Sequence, residues 1–155
     1  VTGGVFLRAL PPVASAAIGA WGWMSCVCMT LMSMMQAPDY FAVGVAGAPV
    51  TDFRLYDTNY TERYMGTPAE NRAGYEASSV MTHAAGLRGP LLIMHGMADD
   101  NVLFTNSTAL FKRLQDLDRP FEVMPYPGGK HGLLRHADMG PHAYMTVKRF
   151  FDENL

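Results

Sequence analysis

Asp99 and His131 are side chains whose type and setting could do acid–base chemistry, each in a glycine-containing loop that follows an apolar stretch. Asp99 lies in Gly96-Met97-Ala98-Asp99-Asp100-Asn101, after the run Pro90 to His95; His131 lies in Pro127-Gly128-Gly129-Lys130-His131-Gly132, after Phe121 to Tyr126. An alcohol is a poor nucleophile at neutral pH until an imidazole accepts its proton. A buried carboxylate then fixes the imidazole tautomer and stabilises its cation. Such a pair calls for a nucleophile that the fold brings beside the imidazole. Ile18 to Thr30 has the layout of a strand, a sharp turn and a helix start. In the pattern Gly-x-Ser-x-Gly the serine sits on a strained turn between small neighbours. Here Gly22 stands two residues before Met24, and Cys26 two residues after it.

The elements that must position these groups follow from the order of apolar runs and turn signals. Val1 to Leu10 suits the last turns of a helix stopped by Pro11 and Pro12, and Ala14 to Trp23 reads as a parallel strand covered on both faces. A helix is expected over Met29 to Gln36, a buried strand over Phe41 to Ala46, and the cleanest strand over Pro90 to His95. Thr105 to Leu117 has the apolar spacing of an amphipathic helix, Phe121 to Tyr126 alternates as a strand, and Pro141 to Phe151 forms a last helix. Between the second and third strands, Phe53, Tyr56, Tyr60 and Tyr64 recur every three or four residues, one face of a helix over Val50 to Met65. That face either packs on the core or forms the wall of an aromatic pocket. Thr67 to Arg88 is polar and punctuated, and suits one or two short surface helices. Strand and helix signals alternate throughout, so the fold class is α/β with a parallel sheet, whose ligands bind beyond the C-terminal strand ends. The turn at 24 and the loops of Asp99 and His131 all fall on that edge.

Composition narrows the partners. At 49% hydrophobic and 17% charged, 155 residues can bury the core of one domain. A net charge of −2 with interspersed signs gives no basic stripe, which argues against nucleic acid or an anionic membrane surface as partner. The apolar runs are interrupted before the roughly 18 residues that a membrane-spanning helix needs. Cys26 and Cys28 are too close for an ordinary disulfide and too few for a thiolate zinc site, and they do not report a compartment. The start at Val1, without methionine or leader, reads as a fragment or a processed chain.

Several words of the chain resemble the prolyl oligopeptidase family of serine peptidases, above all its dipeptidyl peptidase IV branch. They are Gly-Trp before the turn and Met-Thr after it, Ala-Pro-Val at 48 to 50, Tyr-Thr-Glu-Arg-Tyr-Met-Gly at 60 to 66, His-Gly-Met-Ala-Asp-Asp-Asn-Val at 95 to 102, and His-Gly at 131 to 132. The resemblance runs from about Ile18 to the end. It implies a partial alpha/beta-hydrolase fold, the C-terminal strands of a parallel sheet flanked by helices. On this reading residues 1–155 are the C-terminal part of a peptidase catalytic domain, without the early strands and the propeller domain. It carries the family's catalytic aspartate onto Asp99 and its histidine onto His131, and the pocket for a proline ring onto Val50, Phe53, Tyr56, Tyr60 and Val102, with Asn101 beside it. His83, His136 and His142 match no such role.

The implied activity is removal of dipeptides after proline by acyl transfer, on a peptide substrate and with no metal or organic cofactor. The resemblance also carries the branch's tendency to form homodimers through the catalytic domain. The turn departs from the family. Aligned without gaps, the serine position falls on Met24, whose thioether cannot attack a carbonyl, and the two small residues beyond become Cys26 and Val27, expected to strain the turn. A shifted register makes Ser25 the nucleophile; a thiol nucleophile at Cys26 would lack the small neighbours. Two other readings stand beside the dipeptidyl peptidase: a non-catalytic family member that acts by binding or assembly, and a carboxylesterase or acyl-aminoacyl peptidase with the same triad.

Overall fold

A computed structural model describes residues 18–155 of the chain. The helix expected over Val1 to Leu10 and the first residues of the strand expected from Ala14 lie outside this range. Four parallel strands form one sheet in the order β1-β2-β3-β4: β1 (Gly19–Trp23), β2 (Val43–Gly47), β3 (Leu91–Gly96) and β4 (Glu122–Tyr126). The register pairs Trp23 with Gly47, Gly47 with Met94, and Gly96 with Tyr126, so the C-terminal strand ends line up along one edge.

β3 is buried along its whole length because its two faces meet different helices. Leu91 and Ile93 join Val27, Leu31 and Met34 of helix α1 (Ser25–Gln36) and Leu110 and Leu114 of α5 (Thr105–Asp116). Leu92 and Met94 pack on the opposite side with Val43, Val45, and with Ala143, Val147 and Phe150 of α6 (Met139–Asn154). Alternation along a strand thus feeds two cores, which is why the strand reads as continuously apolar. Side chains such as Ile93 and Met94, fully buried, contribute about 1.5–3 kcal/mol each relative to exposure.

Four expectations need correction. Among the described residues β1 is the sheet's edge strand, and Trp21 on it is 43% exposed, so residues 19–23 are not covered on both faces there. The segment Val50 to Met65 is not one helix. A 3₁₀ turn (Phe53–Leu55) is capped by the Asp52 carboxylate accepting from the Arg54 N–H. After extended Tyr56, a new helix, α2 (Thr58–Met65), starts with Asp57 as its cap. Two side-chain caps five residues apart split the segment, because each aspartate satisfies N–H groups at a new helix start. The polar stretch 67–88 forms α3 (Arg72–Ser78) and α4 (Val80–His83), and these are not only surface helices: Tyr75, Val80, Ala84 and Leu87 are buried. Helix α1 also starts earlier than its apolar spacing indicates, at Ser25 rather than Met29.

Candidate active site

The loops after β3 and β4 are stitched to each other by main-chain hydrogen bonds, Met97 N–H to Tyr126 O at 2.9 Å and Ala98 N–H to Gly129 O at 3.0 Å. Gly96 permits this approach, since a Cβ on it would lie 2.3 Å from the Gly129 carbonyl oxygen. The packing brings Asp99 and His131 together. His131 Nδ1 lies 2.9 Å from Asp99 Oδ2, with the aspartate side chain fully buried and that of the histidine 15% exposed.

Asp99 is held from every side. Its Oδ1 accepts from the Asn101 and Val102 N–H groups at 2.9 and 3.0 Å, and Oδ2 faces both His131 Nδ1 and His95 Nε2, the latter at 3.3 Å. A carboxylate oxygen can only accept here, so His131 donates through Nδ1–H, and in the neutral ring the lone pair is on Nε2. That Nε2 is buried and has no hydrogen-bond partner among the described residues. An orphaned basic nitrogen backed by an anchored carboxylate is the arrangement a general base needs.

At the β1 end, Met24 occupies the turn between strand and helix with φ 62° and ψ −132°, its N–H donating to Gly47 O at 3.1 Å. This is left-handed backbone that non-glycine residues rarely adopt. Ser25 and Cys26 belong to α1, and their side chains lie outside the described set. The strain expected at Cys26 and Val27 is absent: both are helical, and Val27 is a fully buried core residue. Strain sits instead on Met24.

The residues expected to hold a proline ring fall into two groups. Val50 and Val102 are buried, while Tyr60 is 46% exposed and Phe53 partly buried. The Tyr56 hydroxyl donates to Asn101 Oδ1 at 2.9 Å, which ties the aromatic segment to the loop of Asp99. Tyr56, Tyr60 and Tyr64 form a ladder with ring centroids 5.8 and 5.1 Å apart, although the chain between Tyr56 and Tyr60 changes conformation. Tyr60 and Tyr64 do not pack into the core; of the residues of α2 only Thr61 is buried. The segment is anchored from below, where Asn106 Oδ1 accepts from the Thr51 N–H at 3.1 Å and Ser79 Oγ donates to Asp52 at 2.7 Å. Burial alone would raise the Asp52 pKa, but hydrogen bonds from Arg54 and Ser79 outweigh it and hold the carboxyl below its ordinary value.

Sequence reasoning missed His95. It is 1% exposed, four residues before Asp99 in the word His-Gly-Met-Ala-Asp, and that spacing after an apolar strand is the signal that could have found it. Among the described residues, no group of three or more His, Cys, Asp or Glu side chains is arranged to hold a metal ion, and no helix is long and apolar enough to cross a membrane.

Comparison with known proteins gives this geometry a family. A model of the prolyl oligopeptidase family matches residues 5–155. The chain belongs to the prolyl oligopeptidase family. Human dipeptidyl peptidase 8 is 38% identical over 141 residues, 89% of this chain and 16% of that protein. Venom dipeptidyl peptidase 4 of Vespa velutina is 36% identical over 147 residues, 92% of this chain and 19% of that protein. The crystal structure of Porphyromonas gingivalis dipeptidyl peptidase 4 superposes with a TM-score of 0.93 at 39% identity, over 98% of this chain and 22% of that one. The chain thus spans less than a quarter of the length of these relatives, and its parallel sheet with helices on both faces is part of an alpha/beta-hydrolase fold.

Proposed function

We propose that this chain is the C-terminal part of the catalytic domain of a serine-type peptidase that removes dipeptides after proline. Asp99 and His131 are its acid and base, and Met24 stands where the nucleophilic serine belongs, so the copy as written binds peptide without turning it over. The observation that carries the reading is the Asp99–His131 couple with its unpartnered Nε2, on the same sheet edge as the strained turn at Met24.

With a serine at 24, Nε2 of His131 would take the hydroxyl proton as Oγ bonds to the scissile carbonyl carbon. Asp99 would stabilise the imidazolium, and backbone N–H groups the tetrahedral oxyanion. His131 would then return the proton to the leaving amine, and water would repeat the sequence on the acyl-enzyme. A methionine has no proton to give up. Val50, Phe53, Tyr56, Tyr60 and Val102 would receive the proline ring, an apolar disc suited to aromatic and branched walls, with Asn101 as polar contact. The substrate class is therefore a peptide with proline second from its N-terminus.

The test is Met24→Ser in the full-length gene product, assayed on X-Pro amides and esters and with a fluorophosphonate probe. The protein as written should bind X-Pro peptides without turnover. Met24→Ser should cleave them and label at residue 24, and His131→Gln in that background should lower kcat by about 10³–10⁴-fold. Turnover by the unmodified protein that disappears in Ser25→Ala would move the nucleophile to Ser25. A folded Met24→Ser protein that neither labels nor cleaves would refute the reading.

A further inference from the structure

His95 is a buried histidine with no role in the chemistry above, yet it touches the proposed catalytic acid. Its Nε2 lies 2.9 Å from Val102 O and 3.3 Å from Asp99 Oδ2, and its Nδ1 lies 2.7 Å from Ser107 Oγ. The ring packs against Phe104, centroids 5.3 Å apart. Two acceptors face Nε2, a carbonyl and a carboxylate. The proton therefore sits on Nε2, and Nδ1 accepts from the Ser107 hydroxyl. Burial favours this neutral form by pushing the His95 pKa below its ordinary value.

The contacts close a ring. His95 donates to the Val102 carbonyl, the Val102 N–H donates to Asp99 Oδ1, and His95 returns to Asp99 at Oδ2. Asp99 is thereby gripped by one residue on a central strand and by its own loop. Oδ2 serves both histidines, so any rotation that loosens His95 also misaims the acceptor of His131 Nδ1–H. Ser107, fully buried on α5, donates to Nδ1 and so holds the far side of the ring that makes the grip.

We infer that His95 is a positioning residue for this site, holding Asp99 in the rotamer that orients His131, with Ser107 anchoring the other ring nitrogen. The inference rests on the reading of Asp99 and His131 as acid and base. Its consequence is that the Ser107–His95–Asp99–His131 chain carries the orientation of the base from helix α5 to the sheet edge. A histidine that merely fills the core would be replaceable by any ring of its size.

Two substitutions separate these roles. His95→Phe keeps the ring volume and removes the donor; His95→Gln places an amide N–H near the position of Nε2. Spectra of [15N]histidine-labelled protein should show His95 as the Nε2–H tautomer, and a downfield His131 Nδ1–H proton protected by Asp99. In His95→Phe that proton should move upfield and exchange with water about tenfold faster. In His95→Gln it should remain. Ser107→Ala, which leaves the ring in place, should shift it in the same direction by less.

In the Met24→Ser background, His95→Phe should lower kcat roughly ten- to hundredfold, the scale of a small misplacement, with KM changed by less than about twofold. An unchanged His131 resonance in His95→Phe, or equal loss in the Phe and Gln variants, would overturn the inference. An inert Met24→Ser protein that still shows the His95-dependent His131 signal would instead refute the functional reading while leaving the positioning role standing.

Discussion

At residue 24 glycine should be more stable than alanine, the reverse of the usual order. Met24 has φ 62° and ψ −132°, a conformation that costs a residue with a Cβ about 1–3 kcal/mol. Glycine adopts it freely but loses more backbone entropy on folding, about 0.5–1 kcal/mol relative to alanine. Met24→Ala and Met24→Gly both delete the same partly exposed side chain, so packing cancels between them and the backbone difference remains. Glycine should win by up to about 2.5 kcal/mol, whereas at an ordinary position it loses by about 0.5–1 kcal/mol. At roughly 2–4 °C per kcal/mol, the scale for folding units of about 150–250 residues, that separates the two midpoints by up to about 10 °C.

Met24→Ser should match Met24→Ala within about 0.5 kcal/mol, because both carry a Cβ and the strain belongs to the position. Urea unfolding of the three variants, with equal slopes, is the assay. A Met24→Ala protein more stable than Met24→Gly would refute the argument that the strand-to-helix turn stores strain at its apex.

Gly96→Ala should destabilise by about 1–3 kcal/mol, because the new Cβ would lie 2.3 Å from the Gly129 carbonyl oxygen and must push the Asp99 and His131 loops apart. Denaturant unfolding reads the loss, and the labelled His131 Nδ1–H proton should weaken with it; a change under about 0.5 kcal/mol would remove the close approach as a constraint. Stability should also fall as pH drops below the ordinary histidine range, in part through His95. Its folded pKa is lowered by burial, so the unfolded chain binds a proton that the folded chain refuses. The loss begins as pH falls through the unfolded value of about 6.5, at up to about 1.4 kcal/mol per pH unit, and stops at the folded pKa. The difference in urea midpoints between wild type and His95→Phe at pH 7, 6 and 5 isolates this part, and a pH-independent difference would contradict it.

The sequence by itself determined the α/β class, the order of the strands along the chain and the loops that carry Asp99 and His131. These follow from local patterns: apolar runs covered on both faces, glycine-rich turns at their ends, and amphipathic spacing over residues 105–117 and in the last helix. It also placed Met24 at the turn by counting from Gly22. Tertiary structure decided what depends on neighbours far apart in sequence. Capping by Asp52 and Asp57 broke the helix that aromatic spacing suggested, and burial of Tyr75, Val80 and Leu87 drew a polar stretch into the core. His95 shows the same limit most clearly. Its residue type was visible, but whether a histidine at a strand end grips a carboxylate or faces water depends on which helix covers it, and here α5 brings Ser107 and closes that side.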